Sequence, residues 1–308
     1  MMDNTRPGGW FFAQAYAKIN FTLDVLGRRE DGYHELASVM QTVALADTLA
    51  FRSLENGRTE LFCDVPALNG PENLVSRAVQ ALRAATGCQR GIGIELRKQT
   101  PAQGGLGGGS SDAAAVLVAL NRFWNLGLGR ERLIELAAQL GSDVPFFVVG
   151  GTALVEGRGE RVTALPDLPG MWVLLLKPEV AVSTPAAFRV LTPADYTDGQ
   201  ATARLVTTIR EEEVLPLDGL VNALEERVCQ EYPAVAACRE ALIAAGARYT
   251  HMSGSGPTLF ALFPTLEEAA PVYQTLLQQG RQVWLARTVL RQEALAFFGP
   301  ADGPNVSN

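Results

Sequence analysis

Residues 101–124 read PAQGGLGGGSSDAAAVLVALNRFW, a glycine-rich run that passes straight into an apolar helical pattern. Between Gly104 and Asp112, five glycines and two serines leave a loop with almost no side-chain bulk. Asp112 and the alanines after it open a helix, with Ser110 or Ser111 expected to cap it and Val116, Leu120 and Phe123 expected to form its buried stripe. Free backbone N–H groups converge at such a helix start, and the macrodipole adds partial positive charge. Glycines let an anion approach the main chain, so the segment predicts a phosphate site. Two common templates do not apply. GxxxxGK[ST] is absent, and G-x-G-x-x-G breaks because Ser110 takes the third glycine place.

Upstream, alternating Ile92, Ile94 and Leu96 predict a strand that delivers Lys98 to the loop. Before it, Pro71-Glu72-Asn73 opens a helix with Leu74, Ala78, Ala81 and Ala85 on one face, ended by Gly87. Near the start, FFAQAYAKINFTLDVLG from Phe11 alternates strictly, which predicts a long strand with one buried face and with Lys18 and Asn20 together on the polar side. The turn-rich RREDGYHE follows, then strands at Val39–Leu45 and Thr48–Arg52, an antiparallel meander.

Downstream, a helix over Glu131–Leu140 ends at Gly141, and Ser142-Asp143-Val144-Pro145 reads as a tight turn into a strand over Phe146–Val149. The stretch ALPDLPG at 164–170 marks a domain boundary, dividing the chain into 1–168 and 169–308. The second unit alternates strands and helices: strand Trp172–Leu176, short helix Pro185–Val190, helices around Leu220–Gln230 and Pro233–Ala245. Two strands within Tyr249–Phe263 flank a Gly-rich turn, then come helix Leu266–Gln279 and strand Gln282–Leu290. Residues 195–216 are charged and carry no assignable pattern, and the tail ADGPNVSN is expected to fray. The class is α+β.

Composition sets outer bounds. The chain has 308 residues, 47% hydrophobic and 19% charged, which excludes disorder and coiled coil for its bulk. Its 26 basic and 33 acidic residues leave a net charge of −7, unsuited to wrapping a nucleic acid. No run is long and apolar enough for a membrane span, and MMDNTRPGGWFF lacks the pattern of a secretory leader, so the expected location is the cytoplasm. Cys63, Cys88, Cys229 and Cys238 show no CxxC spacing and there are only two histidines, so no metal ligand is assigned. Only three basic residues are lysines, Lys18, Lys98 and Lys177; a compact ammonium suits a phosphate.

Four segments occur in order between about Ala13 and Ala294: AKINFTLDVLGRREDGYHEL, PAQGGLGGGSSDAAA, GSDVPFF and MSGSGPTLFAL. Together they resemble the GHMP kinases, and within them the branch whose acceptor is a methylerythritol carrying a cytidine diphosphate. The resemblance implies an N-terminal domain like ribosomal protein S5 domain 2 and a C-terminal ferredoxin-like domain. It implies transfer of the ATP γ-phosphate, with Mg²⁺, to the acceptor's 2-hydroxyl in non-mevalonate isoprenoid synthesis. It places Asp143 and Lys18 as the catalytic pair. It places Asn73, Lys98, Pro101, Gly104, Gly105, Leu106, Gly107, Gly108, Gly109, Ser110, Ser111 and Asp112 on the nucleotide. Asn20, Tyr33, His34, Thr184, Pro185 and Phe188 fall on the acceptor, with Ser253–Gly256 turning against the phosphate loop.

Residue chemistry agrees. An attacking alcohol needs a carboxylate to take its proton and a cation to hold charge at the transferring group. An aromatic ring and a two-nitrogen side chain after an Asp-Gly turn suit a nucleobase. The alternatives are a GHMP kinase for a smaller alcohol such as homoserine or mevalonate, and a non-catalytic ATP binder; GYHEL and STPAAF disfavour the first, and the presence of both Lys18 and Asp143 the second. The expected partner is a small molecule, with no nucleic acid and no membrane. The oligomeric state stays open between monomer and homodimer. Gln103 stands where the family carries a small residue.

Overall fold

The computed structural model describes residues 9–55, 57–295 and 297–298. Residues 1–8 of the leader segment MMDNTRPGGWFF and the whole tail ADGPNVSN, which is expected to fray, lie outside the described residues.

The alternating segment forms β1 (Phe11–Arg28), paired antiparallel with β2 (His34–Leu54) from Phe11 opposite Phe51 to Arg28 opposite His34. The two strands expected at Val39–Leu45 and Thr48–Arg52 are one continuous strand, and its register shifts near Tyr16/Ala17 absorb the irregularity that made it read as two. The expectation of one buried face for β1 is corrected as well, because residues 17–25 are buried on both faces. Ala13 and Ala15 join the core beneath the helices, whereas Ala17, Ile19 and Phe21 join a second core between two sheets.

After β3 (Thr59–Cys63) comes α1 (Leu74–Thr86), capped by the Asn73 side chain, which accepts from the Val75 N–H, and closed by Gly87 in the left-handed region. Its buried residues are Val75, Ala78, Val79 and Leu82, a stripe rotated from the expected one. β4 (Gly91–Arg97) leads to α2 (Gly108–Phe123), then α3 (Arg130–Leu140) and α4 (Val144–Val149). The strand expected over Phe146–Val149 is thus a helix. All six of its residues are buried, so a short apolar run carries no periodicity to separate the two states, and Pro145 sits in the first turn where its missing N–H costs nothing. β5 (Thr152–Gly157) and β6 (Arg161–Ala164) complete the first part of the large sheet, ordered β1-β2-β4-β3 with β5 on β2 and β6 on β5. The helices α1 to α4 share one core with this sheet; fully buried Leu82, Leu117 and Leu120 contribute about 1.5–3 kcal/mol each.

The second half runs β7 (Trp172–Leu176), α5 (Thr184–Arg189), α6 (Gln200–Glu212), β8 (Val221–Asn222), α7 (Glu225–Glu231) and α8 (Pro233–Ala244). It continues through β9 (Thr250–Met252), β10 (Leu259–Phe263), α9 (Leu266–Gln278), β11 (Val283–Arg287), α10 (Arg291–Ala294) and β12 (Phe297–Phe298). The small sheet is antiparallel in the order β11-β7-β10-β9, the strand order of a ferredoxin-like unit. The unassigned 195–216 segment contains α6, whose Thr202, Leu205, Val206 and Ile209 are buried at helical spacing. The helix expected around Leu220–Gln230 starts only at Glu225, because Val221–Asn222 pairs parallel with Thr22 and Leu23 of β1. β12 also returns to β1, so the second half adds two strands to the large sheet. Among the described residues no helix is long and apolar enough to cross a membrane.

Candidate active site

Gly107, at φ 72°, precedes the first turn of α2, so that helix starts four residues earlier than Asp112. The expected serine cap is corrected: Ser110 and Ser111 lie inside the first turn, no side chain caps it, and the Ser111 hydroxyl donates to the Tyr16 carbonyl at 2.6 Å. The first α-helical bond runs from the Ser111 N–H to the Gly107 carbonyl. The N–H groups of Gly108, Gly109 and Ser110 therefore have no intrahelical acceptor, an arrangement suited to an anion.

Glycine is required here for close approach. A Cβ on Gly105, at φ +72°, would stand 2.2 Å from the Ser253 carbonyl oxygen, and one on Gly107 would stand 2.6 Å from the Phe147 ring. Ser253 donates its hydroxyl to the Gly105 carbonyl at 3.0 Å, and the Lys18 N–H donates to the Leu106 carbonyl at 3.0 Å. The Asn222 side chain donates to the Met252 and Gly254 carbonyls at 2.7 and 2.8 Å, fixing the strand and turn on which the loop rests. Gly105→Ala should displace the loop and weaken binding of an ATP analogue by at least about tenfold, read by titration; unchanged affinity would contradict this packing.

Lys18 is 3% exposed, and its ammonium lies 3.7 Å from the Asp143 carboxylate and donates to Asn20 Oδ1 at 2.6 Å. Asn20 in turn donates to Ser38 Oγ at 2.8 Å. Burial lowers the Lys18 pKa, with Asp143 opposing. A residue from β1 and one from the N-terminal edge of α4, far apart in sequence, thus meet beside the loop. Together they line a cleft of about 930 Å³ with Asn20, Pro101, Gly104, Gly105, Gly107, Gly108, Gly109 and Ser110.

The same cleft reaches Tyr33, His34, Thr184, Pro185 and Phe188. Phe188 stacks on His34 with centroids 4.9 Å apart, and Tyr196 meets His34 edge-on at 6.0 Å. Burial, then the nearby Arg28 cation, lowers the His34 pKa below its ordinary 6.5, so the ring is neutral at pH 7 and offers one donor and one acceptor. Thr184 and Ser255 share a hydroxyl hydrogen bond of 3.0 Å, joining α5 to the glycine turn.

Five expected nucleotide residues are not on the cleft wall. Asn73 caps α1, Leu106 is 1% exposed, and Ser111 is bound to Tyr16. Lys98 sits between two buried carboxylates, 2.5 Å from Asp47 and 2.5 Å from Asp112. Asp47 also accepts from the Gln99 and Thr100 N–H groups at 2.6 and 2.7 Å, so the cluster holds the loop's entrance strand to its exit helix. Burial raises the Asp112 carboxyl to about 7, opposed by Lys98 and reinforced by Asp47. Burial works against the charge on Lys98, but the two carboxylates outweigh it and the net direction is upward. Sequence reading missed Asp47, Asn222, Tyr196 and the arginines Arg28, Arg158 and Arg189 on the cleft wall. A lone polar residue in an apolar strand was the available signal for Asp47.

Among the described residues no cluster of three metal-binding acids, histidines or cysteines is present. The wall offers the Ser110 hydroxyl beside the free N–H groups of the helix start, which fits a Mg²⁺ ion only where phosphate oxygens of a bound ligand supply most of its ligands.

Residues 73–151 match the GHMP kinases N terminal domain and residues 209–282 the GHMP kinases C terminal domain. The chain is 46% identical over 282 residues to a 4-diphosphocytidyl-2-C-methyl-D-erythritol kinase of Pelotomaculum thermopropionicum, covering 90% of this chain and 97% of that one. It is 41% identical to the protein of the same name from Dehalococcoides mccartyi, covering 89% and 97%. It superposes on a crystal structure of 4-(cytidine 5'-diphospho)-2C-methyl-D-erythritol kinase with a TM-score of 0.76 at 34% identity, over 90% of this chain and 98% of that one. With the glycine loop, the Lys18–Asp143 pair and the paired sheets in place, the chain belongs to the 4-diphosphocytidyl-2-C-methyl-D-erythritol kinase family of the GHMP kinases.

Proposed function

We propose that this kinase transfers the γ-phosphate of ATP to the 2-hydroxyl of 4-diphosphocytidyl-2-C-methyl-D-erythritol, in the non-mevalonate route to isoprenoid precursors. The observation that carries the reading is the buried Lys18 ammonium 3.7 Å from Asp143, on the wall of a cleft that also holds an anion-binding helix start. Asp143 accepts the proton of the attacking hydroxyl. Lys18 orients that carboxylate and stabilises negative charge developing at the transferring group. The free N–H groups of Gly108, Gly109 and Ser110 receive the triphosphate. The Ser110 hydroxyl would help hold a Mg²⁺ ion carried by the nucleotide, which when bound would supply neutralisation of triphosphate charge. Asn73, Lys98, Leu106, Ser111 and Asp112 act on the nucleotide by holding the loop in shape.

Tyr33, neutral His34 and Phe188 receive the cytosine, while Asn20, Thr184 and Pro185 border the polyol. Residues 1–168 form the nucleotide unit and 169–308 supply the second wall of the acceptor site. The enzyme works in the cytoplasm as a monomer or homodimer; four free cysteines suit a reducing compartment.

Release of ADP from purified enzyme, ATP and Mg²⁺ with each of four alcohols tests this: the cytidine-linked methylerythritol, free methylerythritol, mevalonate and homoserine. Turnover should be confined to the first, and preference for mevalonate or homoserine would overturn the acceptor. Tyr33→Ala should raise KM for the cytidine substrate by at least about tenfold with kcat little changed, the pattern of lost ground-state binding. An unchanged KM would move the base elsewhere.

A further inference from the structure

The chain carries a net charge of −7, yet the charged residues on the cleft wall are Lys18, Arg28, Arg158 and Arg189 against Asp31 and Asp143. Lys18 is committed to Asp143, and Asp31 to Arg29 at 3.2 Å. Three guanidinium groups remain, and all three belong to the end of the cleft that holds the rings. Arg28 is the cross-strand partner of His34. The Arg158 guanidinium lies over the Tyr33 ring, 5.3 Å from its centroid. Arg189 follows Phe188, the ring stacked on His34. Among the described residues neither Arg28 nor Arg189 has a carboxylate partner, and the Arg158 side chain has a loose one, Glu160 at 3.9 Å.

Against these three cations stand, among the described residues, only the loose Glu160 contact and Asp31, which is itself bound to Arg29; like charges so weakly countered repel one another, and a protein short of positive charge gains nothing from grouping them unless an anion joins them. The triphosphate already has its receptor in main-chain amides at the other end of the cleft. Guanidinium groups present paired donors that match phosphate oxygens, and the neutral His34 ring adds no charge to compete.

We propose that Arg28, Arg158 and Arg189 form a second anion site, specific for the diphosphate of a nucleoside diphosphate bound by the adjacent rings. The proposal rests on the cytidine reading of Tyr33, His34 and Phe188 and extends it. It divides recognition in two: main-chain amides hold the phosphates of ATP, and side-chain cations hold those of the acceptor. The acceptor's diphosphate then becomes a determinant of specificity rather than a passive tether.

The test is calorimetric titration of the enzyme, saturated with a non-hydrolysable ATP analogue and Mg²⁺, with CDP and with cytidine. Wild type should bind CDP on the order of thirtyfold more tightly than cytidine, the scale of two or three charged hydrogen bonds partly screened by water. In the triple variant Arg28→Gln, Arg158→Gln, Arg189→Gln the ratio should fall below about threefold, and retained affinity for the ATP analogue reports an intact fold. In Tyr33→Ala both ligands should weaken together with the ratio preserved. Wild type supplies a readout that needs no variant: CDP affinity should fall as salt is raised from about 0.05 to about 0.5 M, which shortens the Debye length from about 14 to about 4 Å, while cytidine affinity stays level. A CDP-to-cytidine ratio unchanged in the triple variant, with salt-independent CDP binding, overturns the arginine site and leaves the cytidine reading standing. A wild type that binds neither CDP nor cytidine overturns both.

Discussion

Asp143→Asn should lower kcat by at least about a hundredfold while the affinity for an ATP analogue changes little, the usual scale for removing a positioned base. The substitution keeps shape and hydrogen bonding but cannot take a proton. Asp143 touches none of the loop's anchoring bonds, because the loop is held by Ser253, Thr258 and the Lys18 backbone. Single-turnover measurement with the cytidine substrate reads the effect on chemistry directly, and near-normal turnover would remove Asp143 from its role. Lys18 supplies a companion signature. Burial holds its pKa below the ordinary 10.5, so it loses its proton, and kcat should decline, on the alkaline side at a pH below that value. A kcat flat through pH 10.5 would contradict the role of Lys18.

Lys98→Met should destabilise the fold by about 3–5 kcal/mol in urea unfolding at neutral pH, because it strands two buried carboxylates. Asp47 is wholly buried and Asp112 2% exposed at their side chains, and the removed ammonium lies 2.5 Å from each. The loss should shrink toward acid pH, where the Asp112 carboxyl is protonated and needs no counter-charge. Asp112 also leaves a mark on the wild type. Its carboxyl is raised from 3.8 to about 7 in the folded chain, so the folded state binds the proton between those values and the unfolded state does not. Stability from this group is therefore greatest below its unfolded pKa and falls as pH rises through that window. Asp112→Asn should flatten that part of the stability profile. A small effect of Lys98→Met at pH 7.5 together with an unchanged profile in Asp112→Asn would show that the cluster is not electrostatically coupled.

Much of the architecture is legible in local pattern. Period-two alternation marks β1, and the Gly-Ser run before an alanine-rich segment marks the tight loop and the start of α2, because each rests on contacts between near neighbours. The failures share a cause. The apolar Val144–Val149 has no polar face once buried all round, so nothing in six residues separates helix from strand. The α6 stripe of Thr202, Leu205, Val206 and Ile209 was hidden by its charged neighbours and by Thr202, a polar residue buried through its bonds to Asp24 and Thr22. Lys98 reads as a phosphate-binding lysine from its place before the loop, but its partner Asp47 comes from the middle of a different strand.

The sequence alone determined the low-bulk glycine loop, the helix that follows it and the long strand carrying Lys18 and Asn20, since loop bulk, helix propensity and strand alternation are properties of short segments. Only the tertiary structure decided that Lys18 meets Asp143, that Lys98 is held between two buried carboxylates, and that three arginines, two of them without a carboxylate partner among the described residues, line the ring end. Those outcomes depend on strand pairing and burial between residues tens to more than a hundred positions apart, where side-chain charge is priced by its surroundings and not by its neighbours in the chain.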